Sequence, residues 1–261
     1  MPRLLSFGST GPDVVDLQNL LNFVPSDYDP LDVDGIFGPL TRQRTQEFQS
    51  DSSLVPDGIA GQQTWDQLFS QAIRTGDLTP LSRWQIAETA RAEASAGGVF
   101  AKLSVEYDYD ADLPLRWGYQ KLLKYFRTSA PKPGQLNQSV FNEDNIMYLT
   151  TPGELAPCPH WCGIFALWAI KTAGMNVGTW VVGSGIASVS GFKNVSSLDV
   201  DKGDVGFVSD PFQHHFIIDN VFTEGGVRKV NTIEGNSSPS SNFSLKTRTV
   251  SSISAFYTIF Q

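Results

Sequence analysis

The sequence predicts an α+β fold in two parts: a small three-helix module, then a larger domain in which a central helix packs on an antiparallel sheet. Three observations carry this expectation. A turn of the form Asp-Gly-Ile-x-Gly-x-x-Thr occurs twice, from Asp34 to Thr41 and from Asp57 to Thr64, and each copy leads into a helical pattern. The run from Gly163 through Trp168 is apolar on every side, as in a helix buried within a domain rather than lying on its surface. After Gly174 the chain turns to short β-branched and aromatic runs broken by Gly, Asp and Pro, so that helices come first and strands afterwards.

Within the first part, Gly8-Ser9-Thr10-Gly11 is a turn that hands over to a helix, with Pro12 suited to its first position and Asp13 to its first turn. Val14, Leu17, Leu20 and Leu21 fall on one face of that helix. In the two repeated turns the glycines permit left-handed backbone and the isoleucines, Ile36 and Ile59, are expected to plug the core. Helices follow, with Phe48 apolar in the first and Trp65, Leu68 and Phe69 in the second. The boundaries expected are residues 1–75 for the module, 76–81 for a linker and 82–261 for the second domain.

In the second domain, Trp84, Ile86, Ala87, Ala90 and Ala94 form a helical face that ends at Gly97-Gly98. A second helix is expected from Leu115 to Phe126, with Lys121, Lys124 and Arg127 toward its C-terminal end. Between the two, Asp108, Asp110 and Asp112 alternate as in a calcium loop. Leu113 stands where that loop needs glycine, so a solvated acidic turn is the expectation. Residues 128–157 read as a long loop. Strands are expected at 203–208, 214–222 and 227–234, the last two joined across Glu224-Gly225-Gly226, and at 253–260.

Composition narrows the function. A formal charge of -8 with no basic run excludes nucleic acid and anionic membrane as natural partners, since both require a cationic patch. No run approaches a membrane span, and the N-terminus lacks the apolar stretch of a signal peptide. The chain is expected to be made soluble in the cytoplasm and to reach its site of action by lysis, injection or a non-standard export route. The two cysteines, Cys158 and Cys162, are four residues apart with a proline between, a poor arrangement for a disulfide and a better one for chemistry.

Pro157 and Pro159 keep the segment before Trp161 out of a helix, and nothing from Gly163 to Ala173 resists one. Cys162 is thereby placed at a helix start, where unpaired N–H groups and the positive end of the dipole favour the thiolate. A thiolate hydrolase needs an imidazole and a third polar group to orient it. The histidines are His160, His214 and His215. His160 is on the restrained turn beside the thiol, and strand alternation sends His214 and His215 to opposite faces. Thr232, Glu234 and Asn236 share a face of the next strand if that strand runs straight. Cys158, Cys162, His214 and His215 also have the residue types of a zinc site, although their spacing suits a tetrahedral cage poorly.

Two resemblances follow from these residues. Through "GSTGPDVVDLQNLLN", "DGIFGPLTRQRTQEFQ" and "LVPDGIAGQQTWDQL" the first part resembles the small peptidoglycan-binding domain appended to cell-wall enzymes. Through "HWCGIFALWAIKTAG", "KGDVGFV", "HHFIIDNV" and "VNTIEGN" the second resembles the cysteine-histidine amidohydrolase/peptidase (CHAP) family of papain-like wall hydrolases, related to the NlpC/P60 enzymes. The resemblance implies Cys162 as nucleophile, His215 as base because the family's histidine immediately precedes the apolar run, and Glu234 and Asn236 as polar members, with no cofactor or metal. It implies an amidase or endopeptidase acting on peptidoglycan, with peptidoglycan as the partner and oligomeric state left open. The alternatives are a thiol hydrolase of a non-wall amide, and a catalytically inactive wall-binding component.

Overall fold

In the computed structural model, residues 2–24, 28–71, 78–130, 143–149, 160–180, 185–237 and 242–260 are described, and of 100–106 the backbone alone. The first part contains α1 (Pro12–Phe23), α2 (Pro39–Asp51) and α3 (Gln62–Gln71), with Pro12 and Pro39 in the first turns of their helices. Leu5, Leu17, Leu21, Phe37, Phe48 and Trp65 form their common core.

Each repeated turn is built around a buried glutamine that the motif itself does not contain. Gln18 donates to Asp34, the Ile36 carbonyl and Thr41, and accepts from Gly35 N–H at 2.9 Å. Gln49 makes the equivalent four bonds to Asp57, Ile59, Thr64 and Gly58. Gly35 and Gly58 both have φ of 72°, the left-handed backbone that glycine adopts without penalty. The isoleucines do not plug the core. Ile36 is 53% and Ile59 37% exposed, while the next residues, Phe37 and Ala60, are fully buried. The turn reverses the chain at the glycine, so the residue after Ile, not Ile itself, points inward.

The second part opens with α4 (Pro80–Ala96), capped by the Thr79 hydroxyl, which accepts from Ser82 N–H. Pro80 and Leu81 of the expected linker thus belong to a helix, and residues 76 and 77 lie outside the described residues. Where a helix was expected from Leu115, the chain instead forms a hairpin of β1 (Phe100–Asp108) and β2 (Leu113–Trp117) before α5 (Tyr119–Ser129). Gly118 has φ of 78° and a side chain there would collide with the Gly98 carbonyl, so the helix begins after it. The acidic turn from Asp108 to Asp112 closes that hairpin and is exposed or nearly so. Of the expected long loop at 128–157, the first two residues belong to α5 and 143–147 form a short α6 (Glu143–Met147).

α7 (Cys162–Thr172) is buried at every residue from Cys162 to Ile170. Around it packs the largest core, including Ile86, Leu122, Tyr125, Phe126, Ile217 and Ile233. The sheet has six strands: β3 (Phe192–Val195), β4 (Val205–Val208), β5 (His214–Glu224), β6 (Val227–Ser237), β7 (Asn242–Thr249) and β8 (Ala255–Ile259), in the order β3-β8-β4-β5-β6-β7 and antiparallel throughout. β3 and β7 add to the strands expected from sequence. The opposite sheet face carries its own core of Phe216, Ile218, Val230, Val250 and Phe256. The architecture is the α+β arrangement expected, with a central helix on an antiparallel sheet. Among the described residues, no helix is long and apolar enough to cross a membrane.

Trp84 of α4 packs on the core of the first part, Arg83 donates to Asp204 at 2.6 Å, and Asn19 of α1 donates to the Val221 carbonyl. The two parts therefore touch through α1, α4 and β5. Gln49→Leu strands the Gly58 N–H and takes a donor from Asp57, the Ile59 carbonyl and Thr64, and is expected to lower stability by about 2 kcal/mol. Ile59→Thr is expected to change it by less than about 0.5 kcal/mol. Urea unfolding of both variants checks the pair.

Candidate active site

The thiol of Cys162 is on the first residue of α7, and the Trp161 carbonyl accepts the Phe165 N–H at 2.8 Å, so the helix is hydrogen-bonded from its first turn. The N–H of Cys162 precedes the helical ladder and points along the positive end of the dipole. Gly163 has a packing role: a side chain there would drive into the ring of Trp180, which lies against the helix start. Trp180 in turn meets the His215 ring edge-on at 5.4 Å, and Phe207 flanks that ring at 4.8 Å.

His214 and His215 are the first residues of β5, held by pairing with Val208 and Phe207 of β4. Contrary to simple strand alternation, both rings come near enough to the Cys162 thiol to act on its charge, His214 foremost. His214 also places Nε2 at 3.0 Å from Glu234 Oε2, which leaves Nδ1 for the sulfur. The order of the group is therefore Cys162, His214, Glu234, with His214 between thiol and carboxylate. The pairing of Glu234 with His215 expected from sequence is not formed, because Glu234 is on the side of β6 that His214 faces. His160 is exposed on the turn before the helix.

Glu234 is fully buried and accepts five hydrogen bonds. Besides His214 these come from Thr232 at 2.8 Å, Lys246 at 2.9 Å, and two from Arg248, at 2.7 and 3.1 Å. Lys246 and Arg248 project from β7, whose pairing of Ser244 with Glu234 sets them on the same face. Neither was singled out from sequence, although the alternation of Ser244, Lys246 and Arg248 with Phe243, Leu245 and Thr247 is a strand pattern.

Asn236 does not join this group. β6 shifts register against β7 between Glu234 and Ser237, and Asn236 in that step has φ of 59°. The strand does not run straight, so the alternation that would put Asn236 beside Glu234 is broken, and among the described residues it bonds neither ring. Cys158 lies outside the described residues, and among those described no group of three or more His, Cys, Asp or Glu side chains is placed to hold a metal ion.

Burial pushes the Cys162 thiol up, but the His214 and then the His215 hydrogen bonds and charges outweigh it and bring it down to about 5. For His214 burial opposes the charge, while the thiolate and Glu234 raise it to about 9. Burial likewise opposes the Glu234 charge, yet His214, Arg248, Lys246 and Thr232 hold it far below the usual carboxylate range. Between these limits the group is a thiolate–imidazolium pair backed by a carboxylate, the charge state of an activated sulfur nucleophile.

Two consequences are measurable. Alkylation of Cys162 by iodoacetamide is expected to rise through about pH 5 and then level, rather than climb through about 8.5 as for an isolated thiol. In the second, Glu234→Gln removes the anion that keeps His214 charged and moves the upper pH limit of activity down, whereas Arg248→Met removes a competing cation and moves it up. Each is expected to cost about 10- to 100-fold in rate, less than the loss of an acid–base group itself. Profiles of kcat/KM against pH read both.

Comparison with known proteins places the first part. Residues 10–68 match the family described as "Putative peptidoglycan binding domain". The Zinc D-Ala-D-Ala carboxypeptidase of Streptomyces albus G is 38% identical over 78 residues, 30% of this chain and 30% of that protein. An uncharacterized protein in the bpoA1 3'region of Kitasatospora aureofaciens is 51% identical over 41 residues, 16% of this chain and 35% of that protein. The chain thus spans about a third of the length of these relatives. Among solved structures, the SleB N-terminal domain is 30% identical, with a TM-score of 0.24, covering 28% of this chain and 97% of that one. The Burkholderia AP3 phage endolysin is 29% identical with a TM-score of 0.25, covering 43% of each chain. The three-helix part, over residues 10–68, is thus matched to the peptidoglycan-binding domain family.

Proposed function

We propose that this chain is a peptidoglycan hydrolase that opens an amide bond by a thiol mechanism, with the N-terminal domain holding it to the wall. What carries the proposal is the grouping of Cys162, at the start of a buried helix, with His214, which is 3.0 Å from the buried Glu234, in one chain with a match to a peptidoglycan-binding domain. The thiolate of Cys162 attacks the carbonyl carbon, and the oxygen, now negative, is met by the Cys162 backbone N–H at the helix start. Collapse breaks the C–N bond as His214 gives its proton to the leaving amine. A water molecule, deprotonated by His214, then attacks the thioester and frees the acid and the thiol. Glu234 keeps the ring in one orientation and supports its charge, and Lys246 and Arg248 hold Glu234. The bond opened is the N-acetylmuramoyl–L-alanine amide or a link within the stem peptide.

In this reading His214, not His215, is the acid–base, and His215 is a second donor to the thiolate pinned between Trp180 and Phe207. His214→Ala is expected to lower turnover of a soluble muropeptide by about 10²- to 10⁴-fold, and His215→Ala by distinctly less. Cys162→Ser sets the background, and mass spectrometry of the products identifies the bond. Equal activity of Cys162→Ser and the unaltered protein would leave a wall-binding role without this chemistry. A larger loss in His215→Ala would return the base to His215.

A further inference from the structure

The charges gathered at the thiol end of the sheet do not balance. At neutral pH the group has two anions, the Cys162 thiolate and Glu234, and three cations, His214, Lys246 and Arg248. Thiolate and imidazolium offset one another. Arg248, with two hydrogen bonds to Glu234 and its guanidinium 4.8 Å over the Phe216 ring, is the fixed counter-ion of the carboxylate. Lys246 is therefore one positive charge in excess, in a chain whose formal charge is -8. Among the described residues, Glu234 is the only carboxylate within ion-pair distance of Lys246 or of Arg248.

The position of that charge relates it to the reaction. Lys246 pairs with Thr232 in the ladder, yet its Nζ reaches past Glu234, at 2.9 Å, to the hydroxyl of Ser237, at 2.8 Å, on the last residue of β6. β5 begins where β6 ends, so the side chain is drawn along the sheet toward His214. Lys246 Nζ and His214 Nε2 both lie on Glu234 Oε2, at 2.9 and 3.0 Å, and so are no more than about 6 Å apart. Glu234 itself is fully buried, whereas the Lys246 side chain is 42% exposed, more than His214 or Arg248, and is the point at which this charged group meets solvent. An ammonium has three N–H donors; two are used here, and the third has no partner among the described residues. An open cation with a donor to spare, this close to the ring that protonates the leaving amine, is the complement of an anion on the substrate.

We propose that Lys246 is a specificity-determining residue, which binds a carboxylate of the substrate close to the amide that Cys162 opens. The proposal rests on the hydrolase reading above and adds the substrate class: an amide with an acidic group one or two residues from the bond cut, at about 3.3–3.6 Å of chain per residue. In a peptidoglycan stem that group is either the isoglutamate carboxylate or the carboxylate that ends the peptide.

The test compares soluble muropeptides that differ only in whether the isoglutamate carboxyl and the terminal carboxyl are free or amidated. With the unaltered chain, amidating the carboxyl that Lys246 meets is expected to lower kcat/KM about fivefold, the size of a half-exposed ion pair, mainly through KM and less so in high salt. The carboxyl whose amidation has this effect identifies the source. In Lys246→Met the free and amidated forms are expected to be turned over alike, while Arg248→Met keeps the preference. If Lys246 acts only through Glu234, Lys246→Met lowers turnover of every form by one factor and leaves the preference intact. That result overturns the proposal, as does the lack of any preference in the unaltered chain. Titration calorimetry of the full Cys162→Ser chain with the same peptides, with and without Lys246→Met, separates the two readings. A Lys246-dependent preference in binding, without turnover by the unaltered chain, removes the hydrolase alone. Turnover without preference removes the carboxylate site alone, and neither binding nor turnover of any form removes both.

Discussion

A carboxylate taken wholly out of water is the constraint on which the thiol end of this chain depends. Removing Glu234 from solvent costs several kcal/mol, and a carboxylate so placed either gains a proton or finds cations with good geometry. It finds three, from the two strands that flank its own: His214 from β5, and Lys246 and Arg248 from β7. Because β6 is an inner strand, both neighbours are fixed by ladder hydrogen bonds before any side chain chooses its direction. The result orders the imidazole from behind while the thiol of Cys162 meets it from the helix in front. Lys246 and Arg248 are not among the groups that act on the sulfur, yet each decides how much of the Glu234 charge His214 feels.

The same geometry explains why the sequence was legible in some places and not in others. α7 was legible because prolines before it and an uninterrupted apolar run after Trp161 leave one place for the helix to begin. Strands β4, β5 and β6 were legible from their β-branched runs. β7 was not, since its residues are half-buried and polar, and its reason for being a strand is long-range: it supplies the cations that Glu234 requires. The histidine doublet failed for a related reason. Alternation describes a regular ladder, and these residues begin the strand, where two consecutive rings both reach one sulfur. Asn236 failed through a register shift and a left-handed residue that a periodic pattern does not encode.

In the N-terminal domain the repeat was legible but the direction of its side chains was not. Asp, Gly and Thr are all in the motif because Gln18 and Gln49 bind them, and those glutamines precede the turns by 16 and 8 positions, counted to Asp34 and Asp57. A local motif thus recorded one half of a tertiary interaction. The exposed isoleucines are a consequence: the clamp uses the Ile36 and Ile59 carbonyls as acceptors, which fixes the backbone with the side chains outward.

The contact between the two parts bears on how a bound polymer and a reacting bond come together. A flexible tether raises the local concentration of substrate and nothing more. Here α4 follows the module directly, sends Trp84 into the packing of the first core and uses Arg83 to bind Asp204 of the second part, while Lys202 reaches back to Asp16 of α1. Charges buried on both sides of a junction hold it more strongly than exposed ones, because parting them leaves each without its partner in a poorly hydrated space. The first part and the part that carries the thiol are therefore joined by packing and by a buried ion pair. Under the proposed function, a polymer held by the first part is offered to the second in a limited set of registers, and selection among the bonds of a repeating substrate begins with that geometry.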